Sequence, residues 1–334
     1  MLRKITIISL LIILILSLVN VLGAAEPKVL KLAHGGTDKS VGHLGFTRFK
    51  ELVEERTGGE VIIEIYHGGV LSGGGLSAFQ TGNVECGIAI SSELMDYDPR
   101  WGIFEMPFLF LDLEAADKVL DGELIQELYG EVEGANVVLL EGRFENGYRH
   151  VTNNVRPIQT VDDLKGIKIR VMSTPLQISI FSSLGASPMP IAYEELYSSL
   201  QTGVVDAQEN PLISILDKAM YEVQKYCSLT GHSYYGYPIA MNKDVYDSFS
   251  PEIQKILNDS FREACLYQRA LSREENEKAR KALEEKGMLV NDLTPEGKMT
   301  LANAAKAVYD QYADEIGKDF INQFMIEMGR EPLY

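Results

Sequence analysis

Hydrophobic and polar positions alternate most cleanly at Ile167, Ile169 and Val171, which interleave with Lys168, Arg170 and Met172. That is the period of a strand with one packed face. Arg170 falls near the strand's end, on the face opposite the isoleucines. Ser173, Thr174 and Pro175 follow, a hydroxyl cap and a proline in the first turn of a helix. The helix breaks at Gly185, before Ser187-Pro188-Met189-Pro190. A second helix carries Tyr193, Leu196, Tyr197 and Leu200 as its apolar stripe and stops at Gly203. A short apolar strand from Val204 to Ala207 then closes on Gln208-Glu209-Asn210-Pro211.

Upstream, Val29 to Ala33 predicts a first strand that ends at His34-Gly35-Gly36. Phe46, Phe49, Leu52 and Val53 recur at helical spacing and predict a helix over 41–56, stopped by Gly58-Gly59. Val61 to Tyr66 reads as a strand. His67-Gly68-Gly69 leads into Ser72-Gly73-Gly74-Gly75 and then a helix ending Gln80-Thr81-Gly82. The apolar, proline-broken run Trp101 to Leu111 reads as core. A helix from Leu113 to Tyr129 and a buried strand from Asn136 to Leu140 come next. From Ser250, a cap followed by Pro251, the chain is helical, with mixed charges from Arg262 through Lys286 and a solvated face expected from Arg273 to Lys286; Thr294-Pro295-Glu296 opens the last helices. One internal echo is present: Gln80-Thr81-Gly82-Asn83-Val84-Glu85 recurs as Gln201-Thr202-Gly203-Val204-Val205-Asp206. Both copies close a helix and open a strand, which suits two lobes on one βα plan.

A guanidinium at a strand tip, just before a helix N-terminus, is a physical design for holding a carboxylate. In open α/β sheets, ligands sit beyond the carboxyl ends of the strands, where Arg170 would be.

The N-terminus is separate from this plan. Arg3-Lys4, an apolar run from Ile5 to Leu22, and Gly23-Ala24-Ala25 make residues 1–25 a secretory signal peptide cleaved near Ala24 or Ala25. An uncleaved anchor is the alternative, since the run approaches a membrane span in length.

Composition changes the picture in three ways. A chain of 334 residues fits two lobes better than one core, and 46% hydrophobic with 24% charged residues describes a globular protein. Without residues 1–25 the chain keeps 29 basic against 48 acidic residues, a net charge of −19. That excludes nucleic acid and anionic membrane surfaces as expected partners. It also obliges an anion site to work at close range, inside the screening length of about 8–10 Å. Cys86, Cys227 and Cys265 have no metal-like spacing and read as buried free thiols. There is no GxSxG, no HExxH and no histidine pair at metal spacing, so no catalytic residue, metal or cofactor is expected. The glycine triplet does not match GxGxxG.

Several segments together resemble one family. They are Pro157-Ile158, Asp163-Leu164-Lys165-Gly166, Lys168-Ile169-Arg170-Val171, Leu200 to Asp206, Gln208-Glu209-Asn210-Pro211 and Tyr221 to Tyr226. This pattern is similar to that of the solute-binding proteins of TRAP transporters, the DctP-like family. The match is dense from Asn146 to Pro238 and looser but collinear from Leu30 to the C-terminus. Ser72 to Gly75 departs from it, because relatives carry a leucine-glycine pair and charged residues there.

The resemblance implies an α/β, two-lobed periplasmic-binding-protein-like fold. Each lobe is a mixed sheet flanked by helices, the ligand cleft lies between them, and a long C-terminal helix braces both. The expected lobes are 26–147 plus 236–275, and 148–235 plus 276–334, with Glu145 to Asn153 and Thr230 to Pro238 crossing between them. Arg170 would hold a carboxylate in a bidentate salt bridge, a geometry lysine cannot reproduce. Asn210 would hydrogen-bond the same group, Tyr193 would pack on the ligand, and Ser173 matches a polar position beyond the strand. Arg149 resembles a second carboxylate-meeting position, with a surface salt bridge as the alternative. Glu209 would accept from the ligand or pair with an arginine. Tyr234 and Tyr235 would line the cleft or simply pack. His34 would line it or be structural. The implied function is extracytoplasmic capture of a small carboxylate-containing solute (dicarboxylate, sugar acid or keto acid) by lobe closure, and delivery to membrane permease subunits. An exported enzyme acting on small acids and a ligand-binding sensor are the alternatives.

Overall fold

A computed structural model describes residues 26–71, 75–110 and 112–334. The expected signal peptide, residues Ser72 to Gly74, and Leu111 lie outside them. Twelve strands are present among the described residues: β1 (Lys28–Ala33), β2 (Val61–Tyr66), β3 (Cys86–Ile88), β4 (Gly130–Val132), β5 (Val137–Leu139), β6 (Phe144–Asn153), β7 (Lys168–Val171), β8 (Ser187–Pro190), β9 (Ala207–Pro211), β10 (Tyr226–Tyr237), β11 (Ile239–Asn242) and β12 (Leu289–Asp292). They form two six-stranded sheets, ordered β2-β1-β3-β11-β5-β4 and β12-β10-β6-β9-β7-β8. Each sheet mixes parallel and antiparallel pairs: β1 is parallel to β2 and β3, and β7 is parallel to β8 and β9. The antiparallel pairs include β6 with β9 and with β10.

The first sheet packs Leu30, Leu32 and Ile63 against Phe46, Phe49 and Val53 of the helix Val41–Arg56. Each such side chain contributes about 1.5–3 kcal/mol when fully buried. Ser40 caps that helix, accepting from the His43 amide. In the second sheet Ile167, Ile169 and Val171 are buried while Lys168 is exposed, as the alternation requires.

The internal echo has a structural counterpart. Gly82 and Gly203 both adopt positive φ (69° and 72°) at the ends of their helices. The acids that close the two copies then do the same job. Glu85 accepts from the Lys31 amide of β1 at 2.8 Å, and Asp206 accepts from the Lys168 amide of β7 at 3.2 Å. Each carboxylate thus satisfies a main-chain donor on the neighbouring strand.

The helix Pro251–Glu285, 35 residues and about 50 Å long, runs along Val41–Arg56 and also touches β6 and the helix Leu212–Asp217. Ser250 caps it and Pro251 occupies its first turn, as read from sequence. Arg273 binds Asp117 at 2.9 Å and Glu145 at 2.8 Å, and the Gln268 side chain pairs with the Glu145 main chain at 2.7 and 2.8 Å. The helix therefore braces elements attached to both sheets. All three cysteines are buried and free of disulfides.

Two local expectations are corrected, and two further segments take definite form. The strand expected over Val204–Ala207 instead runs Ala207–Pro211, because β6 pairs with its polar residues along the whole length while β7 joins it at Ala207. The helix expected from Leu113 to Tyr129 splits into Leu113–Leu120 and Glu123–Gln126 around Gly122. Ser187-Pro188-Met189-Pro190 is an edge strand, a position that tolerates proline because one side needs no donors. The segments expected to cross between lobes form the paired strands β6 and β10, whose Phe144 and Tyr237 pack in the core of the first sheet while Cys227, at the other end of β10, packs with Leu196 and Val205. Passage to the first sheet occurs at the loop before β6 and at Pro238, where β10 hands over to β11.

Candidate functional site

Between the sheets lies a cavity of about 850 Å³, within the usual range for a small-molecule site. The tip of β7 reaches into it. Arg170 is only 3% exposed, and its Nε donates to the Ile191 carbonyl at 2.8 Å. That bond fixes the plane of the guanidinium. Neither terminal nitrogen has a hydrogen-bond or ion-pair partner among the described residues, although both belong to a cavity-lining side chain. Desolvation lowers the pKa of Arg170 and outweighs the distant Glu209 charge. The site therefore holds a buried, underneutralised cation. Ser173 and Thr174 lie beside it at the start of the helix Pro175–Ser183, whose free amides also favour negative charge.

Arg149 also lines the cavity, but it is committed elsewhere. Its Nε and Nη2 both bind the Glu209 carboxylate, Nη2 at 2.7 Å, and Nη2 reaches the Glu209 carbonyl at 2.8 Å and Asn210 Oδ1 at 3.2 Å. The expected alternative for this residue was a surface salt bridge; the pair is fully buried instead. Burial alone would raise the Glu209 pKa, but the Arg149 charge, with hydrogen bonds from His232 and Arg149, outweighs it and holds the carboxyl at about 2.

Asn210 lines the cavity with its Nδ2 donating to Gln208 Oε1 at 2.6 Å, and Gln208 in turn binds Thr152 at 2.7 Å. One Nδ2 hydrogen remains for a ligand. Tyr193, Tyr235 and Tyr237 supply aromatic walls, with Arg149 stacked 4.6 Å from the Tyr235 ring centroid. His34 lines the cavity too and is held 3.1 Å from the His43 ring nitrogen. Burial, then repulsion from His43 and His67, lowers its pKa to about 3, so it is neutral in the folded protein at physiological pH.

Two expected site residues are not at the cavity. Tyr234 packs against Phe110 and Tyr148 on the far side of β10, and Glu209 is enclosed by Arg149 and His232. Side chains alternate along a strand, so Tyr234 and Tyr235 cannot share a face; Tyr235 and Tyr237 do. That alternation could have identified Tyr237, which the sequence reading did not single out. Glu93, Thr37 and Asp217 were also missed, because nothing local marks them as cavity residues. Gly75 of the glycine stretch lines the cavity.

The two halves meet across the opening. Thr37, after β1, donates its hydroxyl to Asp217 Oδ1 and its amide to Oδ2 at 3.4 Å. Glu194 sits against Gly35 and Gly69, where a β-carbon on Gly69 would approach Glu194 Cγ to 2.9 Å.

The model of the bacterial extracellular solute-binding protein family 7, DctP, matches residues 32–315. The chain belongs to this DctP family. It is 35% identical over 254 residues to the 2,3-diketo-L-gulonate-binding periplasmic protein YiaO of Escherichia coli, covering 75% of this chain and 77% of the relative. It is 32% identical over 304 residues to the C4-dicarboxylate-binding periplasmic protein DctP of Rhodobacter capsulatus, covering 89% and 90%. The crystal structure of the sugar acid binding protein from Advenella mimigardefordensis in complex with galactonate superposes with a TM-score of 0.86, at 28% identity over 91% of this chain and 98% of that one. A TRAP periplasmic solute-binding protein from Sulfurospirillum deleyianum with bound succinate gives 0.84, at 29% identity over 90% and 99%. The DctP assignment makes this chain a TRAP-type solute-binding protein with the two-lobed fold of that family, and it favours binding over the exported-enzyme alternative. Among the described residues, no helix is long and apolar enough to cross a membrane.

Proposed function

We propose that the protein captures a small carboxylate-bearing solute outside the cytoplasm, after removal of residues 1–25, and delivers it to the permease subunits of a TRAP transporter. One observation carries this reading: Arg170 is buried in the inter-lobe cavity with both terminal nitrogens unpartnered, while the neighbouring Arg149 is already neutralised. A buried guanidinium without a counter-ion is costly and is relieved by a bidentate carboxylate. Asn210 Nδ2 donates to the same group, Ser173 flanks it, and Tyr193 and Tyr235 cover the apolar part of the solute. The residues expected in lobe I (26–147 plus 236–275) close on those of lobe II (148–235 plus 276–334), and Thr37 and Asp217 meet as they do so.

The names of the relatives support the chemistry, since each describes binding of an organic acid. Native mass spectrometry of the purified protein tests it: a co-purified carboxylic acid, retained stoichiometrically and without turnover, is the expected result. Absence of binding to every carboxylate in a calorimetric panel sinks the reading.

A further inference from the structure

Resting on that reading, the charges around the cavity discriminate among carboxylates. Five carboxyl side chains line it (Asp38, Glu93, Glu194, Asp217 and Glu275) against three cationic ones. Of the cations, Lys39 is exposed at the rim, Arg149 is neutralised by Glu209, and only Arg170 is buried and unpaired. A second carboxylate on the solute would therefore meet acids and find no buried partner.

Other lining residues offer groups suited to hydroxyls. Tyr237, 4% exposed, lines the cavity beside Gly42, and its hydroxyl has no hydrogen-bond partner among the described residues. A phenol both donates to and accepts from an alcohol. Glu93, on the first lobe, accepts from the Leu76 amide at 3.3 Å and keeps lone pairs for further donors. Its burial raises the carboxyl's pKa, which suits hydrogen bonding to alcohols better than neutralising an ammonium. The Thr37 and Ser40 hydroxyls border this wall, their protons already donated to Asp217 and to the Thr37 carbonyl.

We propose that the solute is a polyhydroxylated monocarboxylate, a sugar acid of the aldonate or uronate type. Its carboxylate rests on Arg170 of the second lobe, and its hydroxyls are read from the first lobe's side by Glu93 and Tyr237. Dicarboxylates and α-amino acids are selected against by the same residues.

Calorimetry on the purified protein with a panel of hexonates and hexuronates, succinate, malate and glutamate tests this. At least one sugar acid binds tenfold or more tightly than any dicarboxylate or amino acid. Glu93→Gln and Tyr237→Phe each cost that sugar acid fivefold or more, narrowing its advantage over succinate; the phenylalanine variant keeps the ring if the other misfolds. Succinate, malate or glutamate binding as tightly as the best sugar acid overturns the inference while leaving the carboxylate reading intact. Unchanged selectivity in both variants also overturns it. Binding of no acid at all overturns both.

Discussion

Arg149 and Glu209 form a fully buried ion pair inside the second sheet, joined through both the Nε and Nη2 nitrogens. The pair lies across β6 and β9, and it disposes of one of the two arginines at the cavity. What is left for a ligand is Arg170.

Replacing Arg170 with alanine should cost at least ~3 kcal/mol of binding, from two charge-assisted hydrogen bonds of about 1.5–3 kcal/mol each. Arg170→Lys should also weaken binding strongly, because an ammonium cannot reproduce the fork. Calorimetry with the co-purified acid measures both, and unchanged affinity in the alanine variant removes Arg170 from the mechanism.

The Arg149–Glu209 pair predicts a stability effect of a different pattern. Arg149→Met strands a carboxylate that is 0% exposed, and should destabilise the fold by about 3–5 kcal/mol. The double change Arg149→Met with Glu209→Leu should recover most of that loss, since no buried charge remains. Urea denaturation of the three proteins decides it; a single variant as stable as the parent contradicts the ion pair.

Stability should also fall with acid below about pH 6.5. His34 has its pKa lowered to about 3 from an ordinary 6.5, and His150 is likewise lowered to about 3, in each case chiefly by burial. As pH drops through 6.5 the unfolded chain binds these protons first, so the stabilisation present above 6.5 is lost progressively toward 3. Each site adds a slope of roughly 1.4 kcal/mol per pH unit. His34→Gln should make the denaturation midpoint less dependent on pH between 6.5 and 4, and an unaltered slope counts against a neutral buried His34.

Thr37→Val removes the hydroxyl donated to Asp217 across the cleft. A hydrogen bond to a charged group is worth about 1.5–3 kcal/mol, so the closed state should lose that much relative to the open one. Stopped-flow dissociation of the bound acid should speed up by roughly tenfold or more. An unchanged dissociation rate means the contact does not hold the lobes shut.

What the sequence determined by itself is what local chemistry decides. The alternation over 167–171 placed Arg170 at a strand tip, and Ser173, Thr174 and Pro175 marked the helix start beside it. The cap at Ser250 and the echoed Gln-Thr-Gly segments needed only near neighbours. Tertiary structure decided which arginine stays free. Arg149 and Glu209 lie 60 residues apart, and only the antiparallel register of β6 on β9 brings them together. The same register made Gln208-Glu209-Asn210 a buried strand, although a run of polar residues carries no strand period of its own. Charge pairing and the satisfaction of buried polar groups depend on partners distant in the chain, so they become legible only once the sheets are assembled.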